Sequence, residues 1–221
     1  MKRIKCGLLL PLLGLVLLAA CQLGNPDTET CVEPGVLFKD EFAASTCGWV
    51  LYSQGGATAV IEDELLRLST SQPGPIWWTN PGRNFDDVIM TVQARQAGGP
   101  DDNAYGVICR YQSAENFYVF LISGDGYYAI GKYQSGAEQI EYLTSDGQHA
   151  FIRSDAINQG VATNQIRVSC VGNELSLAVN GLPLVTVTDP TFVTGDIGLG
   201  VSAFELGTAV IEFDNVQVIA P

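Results

Sequence analysis

The feature that most constrains this chain is a period of two. In QIRVSCVGNELSLAVNG, Gln165 to Gly181, the apolar Ile166, Val168 and Cys170 alternate with Arg167 and Ser169. Gly172-Asn173 supplies a turn, and Leu175, Leu177 and Val179 return on the same apolar face. Side chains repeat every two residues only on a strand, so this is a β-hairpin with one buried face. The longer stretch YGVICRYQSAENFYVFLISGDGYYAIGKY reads as three consecutive strands, with turns near Ser113 to Asn116 and at Gly124-Asp125-Gly126. Its middle strand, NFYVFLIS, is apolar on both faces and belongs in the centre of a sheet covered on both sides. From Leu37 onward no segment has helical periodicity, and about a dozen strand-like runs follow one another between turn residues. The fold class is all-β: a two-sheet antiparallel jelly-roll sandwich in one domain.

The stretch VNGLPLVTVTDPTFVTGDIGLG, Val179 to Gly200, ends in three closely spaced glycines and has the look of a phosphate loop. A phosphate cradle needs a strand, then glycines, then a helix whose N-terminus faces the anion. Here β-formers flank the glycines and no helix follows Gly200. Gly198 and Gly200 lie two apart and share one face of a strand, which points to a close backbone approach or a bulge.

The N-terminus carries Lys2, Arg3 and Lys5 and then an apolar run from Gly7 to Ala20 that is too short to span a bilayer. That is a secretory signal. It ends in Leu18-Ala19-Ala20-Cys21, which resembles the lipobox of bacterial lipoproteins. The resemblance implies cleavage before Cys21 and lipid modification of that cysteine, hence an exported protein anchored to the bacterial cell envelope. Residues 21–36 are polar, contain Pro26 and Pro34, and read as a tether, with the domain spanning 37–221.

Beyond the signal, eight basic residues face 24 acidic ones, a net charge near −16. A nucleic-acid partner is excluded because phosphates need clustered Lys and Arg. Contact with the membrane is expected only through the lipid. Four further cysteines, Cys31, Cys47, Cys109 and Cys170, suit an oxidising compartment. Their number allows three connectivities. Cys109 and Cys170 each fall on the apolar face of a strand and are paired here, leaving Cys31 with Cys47. With one histidine, His149, and no CxxC, a Cys/His metal site is not expected.

The pattern VNG, Val185, Val187, Asp189, Phe192, Gly195 and Ile197-Gly198 resembles the C-terminal part of the concanavalin A-like lectin/glucanase superfamily. Its closest look there is to laminin-G-like domains and the 3-keto-disaccharide hydrolase domain family. LFKDEF with Gly48-Trp49, the stretch Asp101 to Tyr133, and IEFDNVQV extend the resemblance over nearly the whole domain. It implies a sugar site on the concave sheet face. With symmetric turns in the central meander, Arg110, Tyr118, Tyr128 and Lys132 fall on one face, opposite Val107, Cys109, Val119 and Leu121. The first set is the expected ligand-binding face. Adjacent Trp77 and Trp78 must point opposite ways, one into the core.

Glycosidases of the superfamily carry two carboxylates acting together. Glu62-Asp63-Glu64 falls at a turn, and Asp86-Asp87 are neighbours on opposite faces, so neither makes such a pair. His149 has no G-x-S-x-G partner. Structural calcium is the one cofactor expected, held by Asp40 or Glu41 together with Asp214 where the terminal strands meet, or by the loop Asp101-Asp102-Asn103. The function expected is non-catalytic carbohydrate binding at the cell surface; a disaccharide hydrolase or a protein-binding surface module are the alternatives.

Overall fold

The structure, a computed structural model, describes residues 31–43 and 47–221. The signal segment and Cys21 lie outside the described residues. Among those described, none is helical, and sixteen strands form two sheets, each built by antiparallel pairing.

The nine-stranded sheet runs β14 (Leu182–Thr188), β13 (Glu174–Val179), β12 (Thr163–Val171), β6 (Val88–Gly98), β16 (Ala209–Ile219), β4 (Leu65–Thr70), β3 (Ala57–Glu62), β2 (Tyr52–Gln54), and β1 (Phe38–Asp40) also pairs with β16. The seven-stranded sheet runs β10 (Glu141–Tyr142), β9 (Tyr127–Tyr133), β8 (Asn116–Ile122), β7 (Asn103–Ser113), β15 (Asp196–Ala203), β5 (Trp77–Thr79), with β11 (Ile152–Arg153) on β9. The expected hairpin is β12–β13, with Cys170 opposite Leu175 and Ile166 opposite Val179. The expected meander is β7–β8–β9.

The sheets pack face to face because each strand offers alternate apolar residues. Met90 and Val92, Val168 and Cys170, and Ile211 and Phe213 from the larger sheet meet Tyr105, Val107, Phe120, Ile130 and Leu199 from the smaller one, all buried. The Cys109–Cys170 disulfide ties β7 to β12 across this core. Cys31–Cys47 closes a 16-residue separation. Residues 31–36, placed in the tether by their composition, lie against the domain: Cys31 is buried, its carbonyl accepts from the Lys39 amide, and Glu33 bridges to Val36.

The smaller sheet is buried on both sides. Its outward face carries a second apolar cluster of Ala104, Ile108, Phe117, Val119 and Leu121. That is the double coverage expected for NFYVFLIS. What covers the outward face is the segment after β9, through Ile140 and Phe151, together with Ile76 and Trp78 at β5.

Candidate functional site

Three of the four residues expected to bind ligand come together, but on the inward side. Strand pairing sets two of them inward and a bulge the third. Four steps of β7, Cys109 to Ser113, oppose two steps of β8, Tyr118 to Asn116, so Cys109 pairs with Tyr118. Arg110 sits inside the bulge with a left-handed backbone, φ 52°. Two extra residues keep the parity of pairing: a symmetric turn at Ser113 to Asn116 would set Cys109 opposite Phe120, so Tyr118 shares the face of Cys109 with or without the bulge, and what the bulge turns inward is Arg110. Tyr118 and Lys132 are direct partners, as are Ile122 and Tyr128, so Tyr128 and Lys132 follow Tyr118 inward. The expected exposed placement of Arg110, Tyr118, Tyr128 and Lys132 is therefore corrected: all four are buried. Val119 and Leu121 take the outward face instead.

Their polar atoms are engaged by the loop before β15. The Tyr118 hydroxyl donates to Asp189 Oδ1 at 2.6 Å and accepts from the Phe192 amide at 3.0 Å. Lys132 Nζ donates to Asp189 Oδ2 at 2.8 Å. Burial alone would raise the Asp189 carboxyl, but hydrogen bonds from Lys132, Thr191 and Tyr118 outweigh it and hold it far below the ordinary range. Arg110 donates to the Phe192 carbonyl at 2.7 Å and to Asp87 Oδ1 at 3.0 Å, and Asp87 also accepts from the Gly172 amide. This network braces one end of the sandwich. Tyr128 lies apart, its hydroxyl pushed upward by burial.

The remaining acidic residues are placed as follows. β1 pairs with β16, yet Asp40 faces Val216 rather than Asp214. Its carboxylate accepts from the Phe42 amide at 2.8 Å and from the Trp49 indole at 3.0 Å. Asp214 bonds Asn215. Among the described residues no group of three or more His, Cys, Asp or Glu is arranged to hold a metal. Glu62-Asp63-Glu64 spans an exposed β3–β4 turn in which Asp63 and Glu64 have positive φ. His149 is exposed, 3.5 Å from Asp146.

The outward face of the smaller sheet holds a groove of about 460 Å³ between residues 74–78 and residues 138–142. It is lined by Trp78, Phe117, Tyr133 and Tyr142, with Glu138 and Gln139 supplying polar groups. The Phe117 ring is the hub: Trp78 lies 5.3 Å away, Tyr111 6.0 Å and Tyr133 5.7 Å, the last stacked at 29°. Trp77 takes the other direction and packs on the inter-sheet core, as adjacent strand residues must.

Glycines make the groove possible. A Cβ at Gly198 would lie 2.6 Å from Asn80 Nδ2 and 2.9 Å from the Thr79 carbonyl, so β5 could not run this close to β15. A Cβ at Gly131 would lie 2.6 Å from Ile140 Cγ2, so residues 138–142 could not rest on β9. The GDIGLG glycines thus serve close backbone approach, as their spacing indicates, and in doing so they seat Trp78. Beneath β5, buried Asp196 accepts from the Gly82 and Ile197 amides at 2.8 Å each. Burial pushes its carboxyl up to about 6 against those bonds.

Aromatic faces flanked by an amide and a carboxylate suit a ligand with an apolar face and a hydrogen-bonding edge. Trp78 was visible in the sequence. Phe117 and Tyr133 were missed because β8 is apolar on both faces and alternation does not say which one meets the core, and Tyr142 because residues 134–151 have no period to read.

No protein-family model matches the chain, and no curated protein sequence does. Solved structures do. A carbohydrate-binding module, CBM66, from Bacillus subtilis superposes with a TM-score of 0.60 at 16% identity, covering 78% of this chain and 96% of that one. A Bacteroides ovatus GH16 protein of a mixed-linkage glucan locus, in complex with the G4G4G3G product, gives 0.60 at 8% identity over 83% of this chain and 100% of that one. A Bacillus subtilis protein with a galectin-like fold gives 0.56 at 13% identity, covering 86% and 99%. The fold is the all-β, two-sheet antiparallel jelly-roll sandwich that the sequence pattern indicates, shared with these neighbours.

Proposed function

We propose that this chain is a non-catalytic carbohydrate-binding module displayed on the bacterial cell envelope through a lipid on Cys21. The observation that carries the reading is the aromatic groove of Trp78, Phe117, Tyr133 and Tyr142 on the outward sheet face. A sugar ring has an apolar face for an aromatic side chain and hydroxyls for groups such as Glu138 and Gln139, and convergent polar groups at an aromatic cleft are the usual form of a small-ligand site. The named fold neighbours, a carbohydrate-binding module and a glucan-complexed GH16 protein, are compatible with it. The non-catalytic part is supported by the lining: Glu138 is the single carboxylate there, whereas glycoside hydrolysis employs a pair flanking the bond. Export is supported by two disulfides.

The test is a glycan array with the purified protein and its Trp78→Ala variant, scored for binding and for released sugar. Binding lost in the variant, without product, is expected. Product release would support the hydrolase alternative instead, and a protein that binds no glycan would be a protein-binding module or something else.

A further inference from the structure

The outward face carries a second basin that the groove does not include. It measures about 550 Å³ and is lined by Tyr127, Phe151, Phe204, Arg153, Asp102 and Asp125, with Asp146 and His149 at its rim. A row of aromatic rings divides it from the groove: Tyr142 meets Phe151 at 5.4 Å, and Phe151 meets Phe204 at 5.8 Å. Tyr142 lines the groove, while Phe151 and Phe204 line the basin, so one ridge presents rings to both.

We infer that groove and basin are two parts of one site, and that its occupant is an internal stretch of a linear, uncharged glycan lying over the Tyr142–Phe151–Phe204 ridge. This rests on the carbohydrate reading above and extends it to ligand length and charge. The polar groups of the basin support an uncharged, hydroxyl-rich occupant. Among the described residues, neither the Arg153 guanidinium nor the Asp102 carboxylate has a side-chain hydrogen bond or ion pair. One donates and the other accepts, and a hydroxyl does both. Asp146 is already engaged by the Gln148 and His149 amides at 2.8 and 2.7 Å and does not compete. An anionic chain would meet Asp102, Asp125 and Asp146 here and Glu138 in the groove, facing Arg153 as the one permanent cation of the basin. The reach also points to a chain. From Phe117 in the groove to Ser123 in the basin the chain advances six steps, roughly 20 Å at 3.3 Å per residue, too long for one sugar ring.

The experiment is calorimetric titration of the purified protein with a length series of mixed-linkage β-glucan oligosaccharides, from disaccharide to hexasaccharide, alongside a glycan array that includes polyuronates. Phe204 and Arg153 are exposed, so Phe204→Ala and Arg153→Ala keep the fold, checked by unchanged melting. Expected is affinity rising about tenfold, a difference of about 1.4 kcal/mol, from the shortest to the longest bound glycan. Both variants should reduce the longest ligand to the affinity of the shortest, and Trp78→Ala should abolish binding of all. Length-independent binding that Trp78→Ala abolishes would overturn the two-part site and leave the carbohydrate reading standing. Preferred binding of polyuronates would overturn the uncharged occupant. Should the array and the series show no bound glycan at all, both this inference and the carbohydrate reading fail.

Discussion

The two faces of the seven-stranded sheet use similar side chains to opposite ends. Inward, Tyr118, Lys132 and Arg110 are buried, and their polar atoms are committed to Asp189, Asp87 and the Phe192 backbone. Outward, Trp78, Tyr133 and Tyr142 stay partly or largely exposed beside a groove. Aromatic and charged residues therefore do not mark a binding surface by type. What separates the faces is whether the partners come from the chain itself. A buried charge must be paired, so the inward set is structural by necessity. The outward rings have apolar neighbours on one side and solvent on the other.

That contrast predicts a clean division between stability and binding. The largest effect should come from Cys109→Ala with Cys170→Ala. Releasing a loop of 61 residues costs about 4 kcal/mol in the chain-entropy model, read as a lower denaturant midpoint, while glycan affinity measured on the remaining folded protein stays the same. A change in affinity would mean that the core and the groove are coupled.

Next is the ionic brace. Asp189→Asn leaves Lys132 with the exposed Glu141 carboxylate, 3.3 Å away, as its remaining ionic partner and should cost about 2 kcal/mol. Double-mutant analysis with Lys132→Met should recover part of that loss, since the buried charge that lost its nearest carboxylate is then absent; additive losses would show that the pair does not act as one unit.

The pH dependence sharpens the contrast further. Asp189, held low, contributes stability that is fully present above about pH 4 and fades as its carboxyl is protonated in more acid solution. Asp196 acts in the other direction. Its carboxyl titrates near 6 when folded, against 3.8 ordinarily, so between those values the folded chain holds a proton that the unfolded chain has released. Stability should fall as pH rises from 4 to 6, by at most about 3 kcal/mol, and level off above. Asp196→Asn should flatten that slope. A slope that persists in the variant would assign it to another group.

Much of this was legible in the chain. The period of two gave away the sheets and placed Cys109 and Cys170 on apolar faces that meet. Gly198 and Gly200 announced a close approach, and the adjacent tryptophans had to divide between core and surface. What could not be read was the bulge at Arg110. Strand alternation carries no signal for two extra residues inside a run, and these turn Arg110 inward; β8 itself is apolar on both faces, so its alternation does not say which side meets the inter-sheet core. Taking the other face of β8 and β9 as the open one moved the expected site from Phe117 and Tyr133 to Tyr118 and Lys132. The segment 134–151 was also silent, because it packs through isolated contacts of Ile140, Tyr142 and Phe151 rather than through a repeat.

The most direct measurement is a side-by-side titration of Trp78→Ala and Tyr118→Phe, with melting recorded for each. Tyr118→Phe removes the hydroxyl that joins Asp189 to the Phe192 amide, and Trp78→Ala removes a ring of the groove. The account predicts that Trp78→Ala, which also uncovers part of the outward cluster and lowers melting, loses glycan binding at least about tenfold, and that Tyr118→Phe melts lower with affinity intact. Binding that survives Trp78→Ala but is lost with Tyr118→Phe would contradict it and return the site to the inward face.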